Sequence, residues 1–419
     1  MSANSVNIHA SMNPSELDAA DALGAYRRQF VIPEGVIYLD GNSLGPASYA
    51  ALAALETAAK EEWAQGMIRS WNSAGWFNLP VSVGDKIAPI VGAEMGQVVA
   101  CDTITVNLYK LLHAALALNP GRRKIVAEAS SFPTDLYVAQ GVTATLPDVT
   151  LALAEDGKAE LTSLIDAETA VVLVNHVDYR TGALRNMQAL TQQAQAAGAL
   201  VIWDLSHSAG ALDVALDACG VDFAVGCTYK YLNAGPGAPA FVYAAKRHHA
   251  HIKQPLTGWW GHARPFAFET GYDRADGVRA FLTGTQPVLS FRALSGALDI
   301  WEDVDLSQVR RKSLQLTQYF IERVKTECAA HDLVCITPEA PEQRGSQVSF
   351  QFEHAYEAIQ ALIDRGVIGD FRAPNVMRFG FTPLYLGFTD VAHAVAVLKE
   401  VLDTQAWKDP KYSIRTTVT

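Results

Sequence analysis

Two residues of this 419-residue chain have a type and position suited to chemistry on a carbonyl compound, and one of them, Lys230, could form a covalent bond to it. It lies in DFAVGCTYKYLNAGPG, between an apolar segment that ends near Cys227 and a Gly-Pro-Gly turn. A lysine at the mouth of a sheet loses solvent, and a desolvated lysine is a nucleophilic amine suited to a Schiff base. An ordinary surface lysine in a strand–turn–strand loop is the alternative.

The second residue is a carboxylate, Asp204, which directly follows the apolar run in VIWDLSHSAG and precedes Lys230 by 26 residues. Ligands of open α/β sheets sit beyond the carboxyl ends of the strands. A carboxylate there can keep a pyridine nitrogen protonated, which makes the ring an electron sink. A helix N-cap is the alternative for Asp204 alone. His207 follows three residues later, near enough to share the pocket. The pair Asp204 and Lys230 is more specific than either residue by itself.

A phosphate group would be held by backbone amides at the start of a helix. The segment DTITVNLYKLLHAAL, Asp102 to Leu116, offers threonine hydroxyls and free N–H groups at such a position. The inner face of the predicted helix carries Leu108, Leu111, Leu112 and Ala115. An ordinary capped core helix explains the same pattern, so the motif alone is weak.

Other polar or aromatic residues follow apolar runs or interrupt them. In SSFPTDLY, Phe132 could stack on a flat ring and Asp135 could hydrogen-bond near it, although an aromatic residue beside a proline is also common in a core. Asn175 and His176 end the run VVLVNHV, and either could bond a phenolate oxygen. Arg378, inside the apolar segment NVMRFGFTP, demands an anion. That anion is either a substrate carboxylate held bidentately or a structural salt-bridge partner.

The elements that must position these residues alternate along the middle of the chain. Short Val- and Ile-rich runs, apolar on both faces, are typical of strands in a covered parallel sheet. These runs are Ile125–Ala127, Ala170–Val174, Leu200–Trp203, Phe223–Gly226 and Ala240–Tyr243. Between two of them, residues 187–197 are predicted to form a helix that Gly198 closes. Strands alternating with helices predict a doubly wound α/β domain.

The two ends of the chain have a different texture. A turn-rich segment, YLDGNSLGP, precedes a predicted helix over residues 47–65. Beyond about residue 310, predicted helices at 312–328, 355–364 and 391–402 surround strand-like segments at 348–352 and 377–381. We therefore expect a large domain over residues 55–310 and a small α+β domain over 311–419, to which residues 1–54 contribute.

Composition excludes several classes of function. A net charge of −11 argues against a nucleic-acid or anionic-lipid partner, which would require a basic face. The five cysteines form no CxxC pair, as expected for reduced thiols, and no stretch approaches the roughly 18 apolar residues of a membrane span. The sequence lacks the GxGxxG motif that would predict a nicotinamide cofactor, and it contains no motif that predicts a metal site. A cytoplasmic location is expected.

Taken together, the motifs resemble kynureninase, most closely its bacterial form. They are LDGNSLG, SSFPTDLY, WDLSHSAGA, GCTYKYLNAGPG, QPLTGWWGH and MRFGFTPLY, and the resemblance runs from about Tyr38 to Tyr385. It implies the aspartate-aminotransferase-like fold of fold type I pyridoxal-phosphate enzymes, with a large, mostly parallel sheet domain and a smaller α+β domain. It also implies pyridoxal 5'-phosphate as cofactor, a homodimer with shared active sites, and hydrolytic Cβ–Cγ cleavage of L-kynurenine to anthranilate and L-alanine.

The resemblance also implies roles for individual residues. Lys230 corresponds to the Schiff-base lysine, Asp204 to the partner of the pyridine nitrogen, and Tyr229 to a phosphate-binding tyrosine that also serves in proton transfer. The other implied cofactor contacts within the chain are Ile104, Thr105, Phe132, Thr134, Asp135, Asn175 and His207. Trp259 and Thr285 are implied to reach the phosphate from the neighbouring subunit.

Three positions bear on the substrate. Arg378 corresponds to the residue that binds the α-carboxylate. Trp71 and Thr285 stand where animal-type relatives that prefer 3-hydroxykynurenine carry histidine and asparagine, which favours plain L-kynurenine here. The alternative is another fold type I enzyme, such as an aminotransferase or a cysteine desulfurase. Cys328 and Cys335 lie in a helical and an apolar stretch, which fits the exposed catalytic cysteine of a desulfurase poorly.

Overall fold

A seven-stranded sheet forms the centre of the computed structural model, which describes residues 8–155 and 158–415. A two-residue strand outside this sheet, β1 (Ile37–Tyr38), comes first in the chain. The seven strands of the sheet are β2 (Val98–Ala100), β3 (Lys124–Glu128), β4 (Thr150–Ala154), β5 (Thr169–Asn175), β6 (Leu200–Asp204), β7 (Phe223–Gly226) and β8 (Phe241–Ala244). All five predicted runs are strands, and the sequence pattern missed two strands of this sheet, β2 and β4.

The order of this sheet is β2-β8-β7-β6-β5-β3-β4. The strands from β7 to β4 are parallel, whereas β8 runs antiparallel to β7, and β2 antiparallel to β8. The side chains of β5 and β7 are buried along their whole length, as expected when helices cover both faces. The carboxyl ends of β5, β6 and β7 therefore meet at one edge of the sheet.

Eleven α-helices lie among the described residues and pack around the sheets. They are α1 (Pro14–Ala19), α2 (Tyr49–Thr57), α3 (Ser70–Ser73), α4 (Leu79–Ile87), α5 (Ile104–Leu118), α6 (Pro133–Thr145), α7 (Met187–Ala196), α8 (Val288–Leu298), α9 (Leu306–Glu327), α10 (Ala355–Ile363) and α11 (Phe388–Asp403). Within these described ranges, no helix combines the length and apolar character needed to cross a membrane.

The ends of the helices follow local chemistry. The Thr103 side chain caps α5 by accepting a hydrogen bond from the Val106 N–H at 3.4 Å. The four predicted inner-face residues of α5 are completely buried. Gly198 adopts φ +82° just beyond α7, a conformation that favours glycine. The predicted helix over 47–65 begins as α2 and continues over Ala58–Gly66 with π-helical winding, a change that the apolar pattern does not signal.

A second, antiparallel sheet contains β9 (Val334–Cys335), β10 (Gln347–Gln351), β12 (Asp370–Arg372) and β13 (Val376–Gly380), in the order β12-β13-β10-β9. The N-terminal β1 pairs in parallel with β11 (Val367–Ile368). The register of β12 and β13 places Asp370 opposite Arg378. The domain bounds stay predictions, and residues 1–7 of the predicted N-terminal segment lie outside the described residues.

Candidate active site

The carboxyl edge of the large sheet borders a cavity of about 230 Å³. Strand β5 ends there in Asn175, β6 ends in Asp204, and the loop after β7 carries Lys230. The N-terminal ends of α5 and α6 complete the walls. The predicted cofactor residues that line this cavity are Ile104, Thr105, Phe132, Thr134, Asn175, Asp204, His207, Tyr229 and Lys230. Residues more than 120 positions apart in the sequence thus share one small space.

Lys230 points its ammonium group toward a histidine. Its Nζ lies 3.0 Å from Nε2 of His207. Burial lowers the pKa of His207 well below its ordinary value, and the positive charge of Lys230 lowers it further. The imidazole is therefore neutral and can accept a hydrogen bond from Nζ. Nζ also lies 5.8 Å from the centre of the Phe132 ring and 5.9 Å from that of Tyr229. This arrangement holds the amine inside the cavity rather than in bulk solvent.

Two buried carboxyl groups share one amide at the ends of β5 and β6. The Asn175 Nδ2 donates to Asp135 Oδ2 at 2.7 Å and to Asp204 Oδ2 at 3.3 Å. Burial raises the pKa of both acids, and the charge of Asp204 raises that of Asp135 further. The Ser206 N–H donates to Asp204 Oδ1 at 2.7 Å, which favours the ionised form of Asp204. We therefore assign the proton of the pair to Asp135 and the negative charge to Asp204.

An aromatic ring forms one wall of the cavity. Phe132 precedes α6, and its backbone N–H donates to Asn175 Oδ1 at 3.1 Å. The Phe132 side chain keeps 39% of its surface exposed, and its ring meets that of Tyr179 edge-on at 5.3 Å. An exposed ring face beside a buried carboxylate is suited to stacking on a planar heterocycle. Asn175 therefore orients the ring-stacking residue as well as both acids.

The N-terminal turn of α5 faces the same space. Ile104 and Thr105 are the first two residues of the helix, and both line the cavity together with Thr103. The N–H groups of a first helical turn have no carbonyl of a preceding turn to bind, and they carry the positive end of the helix dipole. This turn can therefore bind an anion. The isoleucine at position 104 provides a backbone amide but no side-chain hydroxyl.

Tyr229 lines the cavity next to Lys230. Burial raises the pKa of its phenol, and the nearby Cys227 thiol and Asp204 carboxyl raise it further. The phenol therefore stays protonated at neutral pH, and its O–H can donate a hydrogen bond. Cys227, which also lines the cavity, is 3% exposed, and burial raises the pKa of its thiol.

This set of donors fits pyridoxal phosphate. The cavity presents a primary amine for an aldehyde, a buried carboxylate for a ring nitrogen, a ring face for stacking and a helix N-terminus for a phosphate. The buried pair Asp135 and Asp204 also favours this cofactor, because buried carboxylates need a cation or hydrogen-bond donors to offset their lost hydration. A protonated ring nitrogen is such a cation.

Arg378 lies outside the residues that line the cavity and is 1% exposed. Its Nε donates to Asp370 Oδ1 at 2.8 Å, and its Nη2 donates to the other Asp370 oxygen and to Ser43 Oγ. Its Nη1 donates to the backbone carbonyl of Tyr179 at 2.6 Å. Since Tyr179 does line the cavity, the guanidinium lies directly behind that wall. The salt bridge that would explain Arg378 as a structural residue is therefore present, with Asp370 as its partner. The binding of a substrate carboxylate by Arg378 stays a prediction.

Trp71, Trp259 and Thr285 also lie away from the cavity within one chain. Trp71 packs against Trp76 and Trp260, with ring centres 5.7 and 5.4 Å apart. Trp259 is 38% exposed and stacks on Trp260, and Thr285 is exposed. The contacts predicted for Trp259 and Thr285 across a subunit interface involve a second chain and stay predictions, as does the predicted role of Trp71 in substrate choice.

The structure separates Asn175 from its neighbour. Asn175 lines the cavity, whereas His176 turns to the opposite face, where its ring meets Trp203 at 5.6 Å. Burial lowers the pKa of His176 to about 3. Alternation of side chains along a strand requires such a split, but the sequence does not say which residue faces the ligand.

Several cavity residues were not predicted from the sequence. Thr103, Val177, Tyr179, Ser206, Cys227, Gly237, Ala238 and Ala240 line the cavity as well. Tyr179 follows the carboxyl end of β5, and this position was the available signal for it. Among the described residues, no group of three or more His, Cys, Asp or Glu side chains is placed to hold a metal ion. His248, in the histidine-rich segment 248–251, contacts Asp222 at 2.8 Å.

Comparisons with known proteins agree with this geometry. Solved structures with the same fold include a cysteine desulfurase from Thermococcus onnurineus NA1 (TM-score 0.75, 18% identity, 94% of this chain and 99% of that one). They also include a C-DES variant with glycine covalently linked to its PLP cofactor (TM-score 0.77, 16% identity, 89% and 99%). At such identities the likeness concerns the fold alone, and it confirms the predicted aspartate-aminotransferase-like class.

The sequence comparisons are more specific. The model of the kynureninase C-terminal domain matches residues 309–398. Kynureninase of Burkholderia pseudomallei (strain 1106a) is 51% identical over 408 residues, which cover 96% of this chain and 98% of the relative. Kynureninase of Pseudomonas fluorescens is 50% identical over 407 residues, with the same coverage. Identity of this extent, over nearly the full length of both chains, means that this protein belongs to the kynureninase family.

Proposed function

We propose that this protein is a pyridoxal-phosphate-dependent kynureninase, which cleaves the Cβ–Cγ bond of L-kynurenine with water to give anthranilate and L-alanine. This is a hydrolase activity on a carbon–carbon bond and a step of tryptophan catabolism. The observation that carries the proposal is the convergence of Lys230, Asp204 and the N-terminus of α5 on one cavity, in a chain 51% identical to a kynureninase.

The chemistry that pyridoxal phosphate supplies is an electron sink conjugated to the amino nitrogen of the substrate. With the cofactor bound, Asp204 would hold the proton on the ring nitrogen. Burial raises the pKa of Asp204, and a hydrogen bond from protonated Asp135 counters that rise. Phe132 would pack on one face of the ring and fix its plane. The amides of Ile104 and Thr105 would bind the phosphate. With the ring held at both ends, the scissile bond can be aligned with the π system.

Lys230 and Tyr229 move the protons. With pyridoxal phosphate bound, the Lys230 amine would hold the cofactor aldehyde, and when that amine is free it would be the base that takes the proton from Cα of the substrate. The neutral imidazole of His207, 3.0 Å away, accepts a hydrogen bond from Nζ and keeps it close to the ring. Burial raises the pKa of the Tyr229 phenol, so the phenol holds its proton at neutral pH. We propose Tyr229 as the proton carrier of the later steps because it lines the cavity next to Lys230.

Arg378 is our candidate for binding the α-carboxylate of the substrate. Its guanidinium lies behind Tyr179, which forms part of the cavity wall. A small displacement of Tyr179 would expose the guanidinium to the cavity. Trp71 and Thr285 are our candidates for setting the preference for L-kynurenine over 3-hydroxykynurenine.

We also propose a homodimer with shared active sites, in which Trp259 and Thr285 reach the phosphate of the neighbouring subunit. Support comes from a group of exposed aromatic side chains around Trp259, since such patches mark interaction surfaces. Trp259, Phe266 and Phe268 are 38%, 64% and 83% exposed. A cytoplasmic location is supported by the five cysteines, all of which are unpaired.

A desulfurase activity is not favoured. Cys328 is 2% exposed and burial raises its pKa to about 11, so it is neither accessible nor readily ionised. Cys227 is the cysteine that borders the cavity within the described residues, and burial raises the pKa of its thiol as well.

The test is a coupled measurement on purified protein. We expect a yellow protein that converts L-kynurenine to anthranilate, followed by its fluorescence, and to L-alanine in equal amounts. The Lys230→Ala variant should lose the visible absorbance and nearly all turnover, whereas Lys246→Ala, which changes an exposed lysine, should keep both. A yellow wild-type protein that forms neither product would refute the proposal.

A further inference from the structure

Lys110 is completely buried, although it belongs to the most water-seeking class of side chains. It lies on α5, less than two turns after the first residue of the helix. Its Nζ contacts three acceptors: Asp102 Oδ2 at 2.7 Å, the backbone carbonyl of Phe281 at 2.7 Å and Cys101 Sγ at 3.4 Å. These contacts use all three donors of the ammonium group. The lysine does not line the cavity, so it acts through its partners.

The first partner controls the turn before α5. Asp102 has φ +45°, in the left-handed region that residues other than glycine adopt at an energetic cost. Its carbonyl accepts from the Ala240 N–H at 2.9 Å, which ties it to the residue just before β8. Thr103, the N-cap of α5, follows directly, and Ile104 and Thr105 come next. The conformation of Asp102 therefore sets the direction in which these amides point.

The second partner is the segment 281–286. Besides Phe281, this segment provides Thr283, whose hydroxyl donates to Asp102 Oδ1 at 3.2 Å. Gln286 accepts from the Asp102 N–H at 3.3 Å. The segment thus contacts both the side chain and the backbone of Asp102. Thr285, which the sequence predicts to reach a phosphate in the neighbouring subunit, lies between Thr283 and Gln286.

We propose that Lys110 is a positioning residue for the cofactor phosphate: its ion pair with Asp102 holds the turn Thr103–Thr105 in the conformation that binds the anion. This inference rests on the proposed function, because it needs a phosphate at the N-terminus of α5. It assigns a role to a lysine that touches neither cofactor nor substrate. The competing explanation is a buried ion pair that stabilises the fold and nothing else.

The chain contains a matched case for that competing explanation. Lys312 on α9 is 5% exposed, pairs with Asp21 at 2.6 Å and donates to the backbone carbonyl of Pro383. It lies among α1, α9 and α11, away from the residues that line the cavity. The two lysines thus share burial, an aspartate partner and a backbone acceptor, and they differ in their distance from the phosphate-binding turn.

The experiment compares Lys110→Met with Lys312→Met. For wild type and both variants, the melting temperature is measured with and without pyridoxal phosphate, and the Kd of the cofactor is measured by absorbance titration. Both variants should lower the melting temperature of the cofactor-free protein. Only Lys110→Met should also reduce the increase in melting temperature that the cofactor causes. Its Kd for the cofactor should rise about 10- to 150-fold, the equivalent of one charge-assisted hydrogen bond to phosphate.

A second variant, Asp102→Asn, serves as the test if Lys110→Met fails to fold. Asparagine has the same shape as aspartate and tolerates the left-handed backbone, but it removes the negative charge that pairs with Lys110, so it should weaken cofactor binding in the same way. At saturating cofactor the visible absorbance of the variants should equal that of wild type, because Lys230 is untouched. A Kd within about twofold of wild type in the folded variants would overturn the inference. If wild type itself did not bind the cofactor, the proposed function would fail instead.

Discussion

Replacement of Arg378 by glutamine distinguishes the two roles open to this arginine. If the guanidinium serves only the fold, the variant should lose stability and keep its KM for L-kynurenine. If it binds the α-carboxylate, KM should rise. Arg372 provides the matched control, because it donates to the same Asp370 carboxylate at 2.6 Å and to the same Ser43 hydroxyl at 3.2 Å. The Arg372 side chain is 34% exposed, whereas that of Arg378 is 1% exposed.

The expected size of the effect follows from the hydrogen bonds of Arg378. A guanidinium has five N–H donors. Four are directed at Asp370, Ser43 and Tyr179, which leaves one on Nη1 when all partners within the described residues are counted. One charge-assisted hydrogen bond contributes about 1.5–3 kcal/mol. We therefore expect Arg378→Gln to raise KM about 10- to 150-fold. A larger rise would mean that substrate draws the guanidinium away from Asp370.

The assay measures kcat and KM by anthranilate fluorescence, together with the affinity for kynuramine, the analogue without the α-carboxylate. Arg378→Gln should weaken binding of L-kynurenine and leave that of kynuramine unchanged, and Arg372→Gln should alter neither by more than about threefold. Loss of the guanidinium also breaks a buried ion pair, at a cost of about 3 kcal/mol or more, so folding is verified first by thermal unfolding. An unchanged KM in folded Arg378→Gln would refute the substrate role.

Three further predictions concern the amine, a buried histidine and substrate choice. Lys230→Ala should abolish the visible absorbance and reduce kcat at least about 1,000-fold, in a protein that still folds; residual colour would contradict the assignment. His176 has a pKa of about 3 when folded and about 6.5 when unfolded, so the unfolded chain binds more protons between these values. The free energy of unfolding of wild type should therefore fall by up to about 1.4 kcal/mol per pH unit as pH drops through that window, relative to His176→Asn; equal slopes in urea titrations would refute this. The double variant Trp71→His, Thr285→Asn should raise the ratio of kcat/KM for 3-hydroxykynurenine over L-kynurenine about tenfold, the effect of one added hydrogen bond; an unchanged ratio would exclude these positions as the selectors.

Strand positions were predictable because burial on both faces leaves a direct mark on composition. The runs that became β3, β5, β6, β7 and β8 contain almost no polar residue, and polar side chains begin where each strand reaches the edge of the sheet. Asp204 and Lys230 were identified on that basis. The short β2 was missed because three residues carry too little pattern, and its antiparallel direction depends on its partner β8. Strand β4 was missed as well, because its Leu and Ala residues lack the β-branched side chains that mark the other runs.

Residues of the site that act through partners were harder to predict. Lys110 lies in a helix whose apolar pattern is clear, but its burial depends on acceptors supplied by residues 101–102 and by Phe281. Asp370 and Arg378 are eight positions apart in the chain, and only the antiparallel register of β12 and β13 sets them opposite one another. A spacing of eight does not imply a contact unless the turn between the strands is known.

The sequence by itself determined which residue types stand at the ends of buried strands, and with them the cofactor class and the family, because local composition and motif order are properties of the chain. The tertiary structure alone decided which of two adjacent polar residues faces the cavity. It also decided that Asn175 joins Asp135 and Asp204, and that Arg378 is bound to Asp370 behind the wall formed by Tyr179. These facts depend on distances between segments far apart in the chain, which packing and strand register set.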